Sequence, residues 1–296
     1  MRAMLKSISR NRFPYILLLP MLVCMVGVMI YPLFMGFWVS LTNKFLMSGK
    51  ETLFIGLSNY MKLVSDTIFL RACKNTFAWA LMGVAGTTVI GLVLALLLHR
   101  RFPGRDIFRG LFLLPWSIPY VSVGILWRWL MQDSFGNIDR LLMGLGLTSG
   151  HVGFLSNPTI AIYSVTGVLV WRHYPFSFLV FLAALQGINE NLYEAAEVDG
   201  ANTIQKFIYI TLPGIRPAMV IVVLLQFIWF FNHFGITYIM TRGGPARATE
   251  LLGTYAYESA FMRFSMGYGS AIGSIMFVVL VITMVIYFRI VEKTDH

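Results

Sequence analysis

The chain is 296 residues long, 57% hydrophobic and only 12% charged, with a formal net charge of +10. Soluble domains carry about twice that charged fraction. The apolar residues here gather in long runs, near the ~20 residues that a helix needs to cross a bilayer, which excludes a water-soluble core.

The positive charge stands at the ends of those runs, at Arg2, Lys6, Arg10 and Arg12 and again at Arg100, Arg101, Arg105 and Arg109. Membrane topology accounts for that placement, so it does not indicate a nucleic-acid partner. Six spans are predicted in chain order, at about 14–40, 75–98, 107–130, 159–184, 218–240 and 268–290. The first is too long for the core of a signal peptide and lacks a small-x-small cleavage pattern, so it is expected to stay as an anchor. Cys24 lies within it, and with Cys73 as its companion the spacing implies neither a disulfide framework nor a metal site. An even number of spans puts both termini on one side. Lys and Arg in the N-terminal tail and the 99–109 loop assign that side to the cytoplasm, although Lys44, Lys50 and Lys62 in the first outer loop reduce the asymmetry. The outer loops are then about 41–74, 131–158 and 241–267, and the inner ones 99–106 and 185–217. No linker, charge run or short repeat divides the sequence, which reads as a single membrane domain over 1–296.

Pro20 and Pro32 in the first span, Pro115 and Pro119 in the third and Pro175 in the fourth each remove a helical hydrogen bond. Carbonyls freed in lipid must find a neighbouring helix or a wet cavity, so broken helices point to a pathway. In the fourth span, Val170-Trp171-Arg172-His173-Tyr174-Pro175-Phe176 puts Arg172 near the midpoint. A charge there costs at least ~2.5–3.5 kcal/mol on insertion scales, so it must face something. A ligand, carbonyls freed near Pro175 and an opposing subunit are all open. The fifth span offers Trp229-Phe230-Phe231-Asn232-His233-Phe234 at a compatible depth. Sugars are held by aromatic faces on their C–H surfaces and planar polar groups on their hydroxyls, and both occur in these stretches. His173 and His233 have no carboxylate or cysteine beside them, which argues against a metal pair.

Between these spans lies a polar hairpin at about 188–213. Glu190 to Ala201 has helix-forming composition, with a natural stop at Asp199-Gly200. Asn202 followed by Gln205 reads as a capping box opening a second short helix, with Phe207 and Ile210 on its apolar side. Leu212-Pro213 is expected to end it, and Arg216-Pro217 to lead back into the membrane. A helix resting on lipid is normally rich in Lys and Arg on its polar face, whereas this one is led by Glu190, Glu194, Glu197 and Asp199. With Ala195, Ala196, Gly200 and Ala201 admitting a close approach, docking to a protein is the better reading.

The spacing Glu194-Ala195-Ala196, three residues, Gly200, nine residues, Ile210-x-Leu212-Pro213 resembles the signature loop of permease subunits in binding-protein-dependent ABC importers. Leu192-Tyr193 before it and Ala201 after it look like the carbohydrate, maltose-type branch. So do Leu113-Leu114-Pro115-Trp116, Gly136-Asn137-Ile138 through Leu145-Gly146-Leu147, Gly243-Gly244-Pro245 and Gly267-Tyr268-Gly269-Ser270-Ala271. The resemblance implies an all-α membrane protein with six transmembrane helices in the type I ABC importer permease fold, carrying a cytoplasmic coupling helix. Glu194, Ala195, Ala196, Asp199 and Gly200 would dock in a groove of a separate ATPase subunit. Arg172, His173, Phe176, Trp229, Phe230, Asn232 and His233 would lie along the substrate path. The implied partners are a second permease, two ATPase subunits, an extracytoplasmic solute-binding protein and membrane lipid. The implied location is the cytoplasmic (inner) membrane of a bacterial-type cell.

The phosphate-cradling pattern G-x-x-x-x-G-K-[ST] is missing: Gly49-Lys50 is followed by Glu51, with Lys44 where the first glycine belongs. No cofactor is therefore expected on this chain, ATP and Mg being held by partner subunits, and the role is transport without chemistry on the substrate. A sugar or sugar derivative is the expected cargo. Import of a polyamine or another non-sugar solute is the alternative within transport. A secondary carrier would require coupling-ion carboxylates within the spans, and a membrane enzyme a catalytic constellation; neither is legible.

Overall fold

A computed structural model describes residues 12–47, 49, 51–133 and 136–294. Among these the regular structure is helical apart from two isolated bridges, Thr42 with Phe54 and Phe45 with Ser265. The helices begin with α1 (Arg12–Cys24), which passes through a wider π-helical turn, Met25–Ile30, into α2 (Tyr31–Ser40). They continue with α3 (Ser58–Ser65), α4 (Thr67–His99), α5 (Arg105–Ser117), α6 (Tyr120–Leu130), α7 (Asn137–Gly144) and α8 (Ala161–Gln186). The hairpin supplies α9 (Glu190–Val198), α10 (Thr203–Lys206) and α11 (Leu212–Gly214). After it come α12 (Arg216–Asn232), α13 (Gly235–Met240), α14 (Leu252–Tyr257) and α15 (Met266–Thr294).

The chain divides into two compact units, Met1–Ser65 with Ala256–Ile275, and Asp66–Tyr255 with Met276–His296. In the first, Leu17–Ser40 forms an apolar rod, and no residue of its spanning window is fully buried among the described residues. Its C-terminal end is tied down by Asn59, whose Nδ2 donates to the carbonyls of Ser40 and Thr42 at 2.8 and 2.9 Å.

In the second unit α8 is the core helix: 67% of its spanning window is buried, against 33% or less for the other spans. That burial explains its polar content, since Ser164, Thr166, Arg172, His173 and Ser177 face protein instead of lipid. Its main neighbour is α4, which turns a ladder of small residues toward the core: Ala72, Thr76, Ala80, Gly83, Thr87, Gly91 and Ala95. Small residues at this spacing let membrane helices approach backbone to backbone. A Cβ on Gly91 would stand 2.5 Å from the Ser177 Cβ and 2.8 Å from the Phe178 amide nitrogen.

Two expectations about the spans need correction. The second starts at Thr67 instead of 75, because Asp66 caps it: Oδ1 accepts from the amides of Ile68 and Phe69 at 2.8 and 3.2 Å. The added turns are polar because they hold a loop, Arg71 donating to the Ala246 carbonyl and Asn75 to those of Ala248 and Glu250. The third span is not a straight helix but the pair α5 and α6, bent by 94°. Among the described residues, five helices are long and apolar enough to cross a membrane, and a sixth span exists only if the bent pair is counted as one. The break falls at Ile118-Pro119, both extended, since a residue before proline is driven out of the helical region. Pro20 and Pro175, by contrast, sit inside continuous helices.

Overpacking the α4–α8 contact is expected to be costly. Gly91→Val should lower stability by ~1–3 kcal/mol, measured as a fall in unfolding temperature in detergent. Gly110→Ala, at a helical position with nothing within 4 Å, should leave it level or raised. A Gly91→Val protein as stable as the parent contradicts the packing.

Candidate functional site

The bend at Ile118-Pro119 turns two carbonyls toward α8, and Arg172 takes both. Its Nε donates to Ile118 O at 3.1 Å and its Nη2 to Trp116 O at 3.2 Å. The guanidinium carbon also lies 3.6 Å from the centre of the Tyr120 ring, close enough for a cation–π contact. Of the possibilities open from sequence, carbonyls are what Arg172 faces, but they come from α5 and the break instead of the turn at Pro175. Its Nη1 is buried without a hydrogen-bond partner among the described residues.

Beyond the Tyr120 ring opens a cavity of about 250 Å³, lined by Trp116, Tyr120, His173, Ile228, Trp229, Asn232 and His233. The rings are close: Tyr120 to His233 is 4.7 Å between centroids, and His173 to Trp229 is 5.7 Å. The Tyr120 hydroxyl meets His173 Nε2 at 2.9 Å. His233 ends α12, and its Nε2 accepts from the Ile236 amide at 3.2 Å, which leaves its ring proton on Nδ1. Gln226, fully buried, donates to His173 O at 3.2 Å and Ser177 Oγ at 3.0 Å, binding α12 to α8 under the cavity.

The structure thus brings His173, Trp229, Asn232 and His233 together on one wall. Phe176 stands behind, its ring 4.7 Å from that of Trp229, and Arg172 lies behind Tyr120. Phe230 does not line the cavity: it is fully buried, packs on Trp79 and on the His173 ring at 5.6 Å, and fills the space that a side chain at Gly83 would need. Trp116 and Tyr120 join the wall without having been singled out. The proline two residues after Ser117 was the signal for them, since a helix broken there turns the residues that flank the break.

The hairpin has its own geometry. Asn189 caps α9 through the Asn191 amide at 3.0 Å. At the other end Gly200 takes φ +80°, with Ala201 N–H donating to Ala196 O at 2.8 Å and Gly200 N–H to Glu197 O at 3.0 Å. This is a Schellman closure, which needs a residue free of the left-handed penalty. A Cβ at Gly200 would meet nothing within 4 Å, so the backbone angle, and not crowding within the chain, calls for glycine. The capping box at Asn202 and Gln205 forms with bonds of 2.7 and 2.9 Å. Lys206 reaches back to Glu197 at 2.5 Å and holds its carboxyl below the usual carboxylate range, by hydrogen bond and then by charge. That clamp is complete above the ordinary carboxylate pKa and is lost as pH falls through the lowered one. The second helix runs from Thr203 through a π-turn, Phe207–Thr211, into α11 and ends at Gly214, one residue beyond the expected Leu212-Pro213, with a turn at Ile215 before α12.

Glu194, Ala195, Asp199 and Gly200 are exposed and Ala196 half-buried. Beside them stand apolar side chains with no cover, Val198 at 88% exposure, Tyr209 at 75% and Ile204 at 69%.

A family model described as "Binding-protein-dependent transport system inner membrane component" matches residues 87–295. The chain is 33% identical over 280 residues to the sulfoquinovosyl glycerol transport system permease protein SmoG of Agrobacterium fabrum, covering 95% of this chain and 90% of that one. It is 32% identical over 276 residues to the trehalose/maltose transport system permease protein MalF of Thermococcus litoralis, covering 93% and 92%. In fold it is similar to a chain of a bacterial ABC transporter involved in the import of the acidic polysaccharide alginate, with a TM-score of 0.82, 23% identity and coverage of 98% and 99%.

The Arg172 contact generates a stability prediction. Arg172→Met, similar in length but without a donor, should destabilise the protein by ~1–3 kcal/mol as the Trp116 and Ile118 carbonyls lose their partner. Thermal unfolding in detergent reads this, and an unchanged midpoint would contradict it.

Proposed function

We propose that this chain, which belongs to the family of binding-protein-dependent transport system inner membrane components, passes a sugar or sugar derivative through the cavity between α6, α8 and α12. The observation that carries the reading is the cavity wall: indole and phenol rings with imidazole and amide groups between them, the pairing that sugar recognition requires. Names of relatives support it, two of them being permeases for sulfoquinovosyl glycerol and for trehalose or maltose.

In this reading the hairpin lies in the cytoplasm, together with both termini. Glu194, Ala195, Ala196, Asp199 and Gly200, with Val198 and Ile204 alongside, seat it in a separate ATPase subunit. ATP and Mg are bound there and not on this chain. A second permease completes the translocation path and covers part of the bare Leu17–Ser40 rod, lipid covering the rest, while an extracytoplasmic binding protein delivers the cargo. Force has a short route. The hairpin stays helical into α11, and α12 follows after Ile215 with 17 residues, about 25 Å of helix. At its far end stand Trp229, Asn232 and His233. Buried carboxylates such as Asp139 and Glu250 lie in the outer loops by this topology, where they do not serve a carrier driven by a coupling ion.

The test reconstitutes the chain with its permease, ATPase and binding-protein partners and asks which solutes raise ATPase activity. A sugar is the expected stimulant; a polyamine acting in its place would overturn the cargo assignment. In the same system Gly200→Arg should insert in the membrane normally while ATPase activity ceases to respond to cargo, and full stimulation would remove the hairpin from its role. Trp229→Ala should raise the half-saturating cargo concentration by up to ~10-fold, the scale of one aromatic contact. Unchanged kinetics would take Trp229 off the path.

A further inference from the structure

A second cavity, of about 600 Å³, opens beside the root of the hairpin and away from the aromatic one. His99, Arg100, Arg101, Arg105 and Arg109 form one side of it, and Glu190 is the carboxylate on its wall. Asp106 approaches Arg105 and Arg109 only at 3.6 and 3.5 Å, with a side chain 83% exposed, so water screens most of that attraction. Arg109 Nη2 is fixed on the Leu98 carbonyl at 2.9 Å, which leaves its Nε buried without a partner among the described residues, as is His99 Nδ1. Four guanidiniums around one cavity repel one another, and an anion relieves them. A phosphate suits the forked donors best, since it accepts paired N–H bonds from arginine.

The setting selects the source of that phosphate. The cavity lies where α4 and α8 end, and Leu185 and Ile188 contribute apolar wall. Adjoining α5 bares Ile107, Leu111 and Leu114. Basic groups at the foot of membrane helices beside a bare apolar strip suit a headgroup whose chains remain in the bilayer. We propose that this cavity binds the phosphate of an anionic phospholipid. Glu190 is the first residue of α9, so occupancy sets a lipid charge against the root of the hairpin.

The site requires that the spans cross a membrane, which family membership supplies, and is independent of the cargo. Its test reads binding and not transport, so its failure leaves the permease reading standing. The full chain in detergent is titrated with dioleoyl phosphatidylglycerol or dioleoyl phosphatidylcholine, and bound lipid is counted by native mass spectrometry. The parent should retain the anionic lipid with a preference of about fivefold or more. Arg100→Gln/Arg101→Gln/Arg105→Gln should lose that preference, while the corresponding triple lysine variant and Arg140→Gln, an exposed arginine elsewhere, should keep it. Unfolding temperatures verify that the variants are folded, and if the triple glutamine variant is not, Arg100→Gln, Arg101→Gln and Arg105→Gln made singly should each lower the preference. Equal retention of both lipids by the parent overturns the proposal, as does a preference that survives the triple glutamine change. Millimolar inorganic phosphate should leave the bound lipid in place; complete displacement would assign the site to a soluble anion and overturn the lipid source.

Discussion

In the hydrocarbon core of a bilayer a backbone carbonyl has no lipid partner, so a span can break only where a protein donor or a wet cavity satisfies it. Here the donor is Arg172, and much of the second unit follows from it. Its fork holds Trp116 O and Ile118 O at the corner of a 94° bend. The bend carries Trp116 and Tyr120 to the cavity, and the Tyr120 hydroxyl in turn meets His173. The same guanidinium lies under the Tyr120 ring, so its charge is spent on carbonyl dipoles and an aromatic face. The cavity wall is therefore polar without presenting a full charge directly, a surface suited to hydroxyls.

That corner could not persist against a loose scaffold. The α4 ladder of small residues lets the backbone come against Ser177 and Phe178 of α8, so α8 has little freedom to slide. Gln226 fixes α12 to the same helix through His173 O and Ser177 Oγ. His173 is thus held by its own carbonyl on one side and reaches Tyr120 with its ring on the other. Packing of small residues and one buried amide position the groups that line the cavity.

What was legible in the sequence divides along the range of the interactions. The hairpin was legible because its determinants are local: Gly200 stops α9, and Asn202 with Gln205 opens α10, each within a few residues of its partner. The break at Pro119 was not singled out, because Pro20, Pro115 and Pro175 look alike in sequence. The difference is an extended Ile118 and a donor 54 residues away. Phe230 illustrates a signal that was present and unused. On a helix Trp229, Asn232 and His233 share one face by their three- and four-residue spacing, which turns Phe230 to another; it packs against Trp79 and the gap at Gly83. The α4 ladder was likewise visible as spacing, but its meaning depends on which helix lies opposite.

The same division bears on how such a subunit changes cargo. The hairpin is shaped by caps, a Schellman turn and an exposed ion pair, none of which touches the cavity, and the surface it offers depends on its own sequence. The cavity is shaped by contacts between residues far apart in the chain, and its wall residues carry less of the scaffold than those behind them. Asn232 is exposed and Trp229 meets its neighbours mainly through ring edges, whereas Arg172, Gln226 and Phe230 are buried and bind helices together. Substitutions on the wall therefore change what fits with little disturbance to the bend, and substitutions behind it disturb the bend without selecting a ligand. Two helices join these regions: α8, which carries His173 and ends at the root of the hairpin, and α12, which runs from the hairpin to Trp229 and Asn232. Substitutions on the cavity wall leave the caps and the glycine turn that shape the hairpin intact.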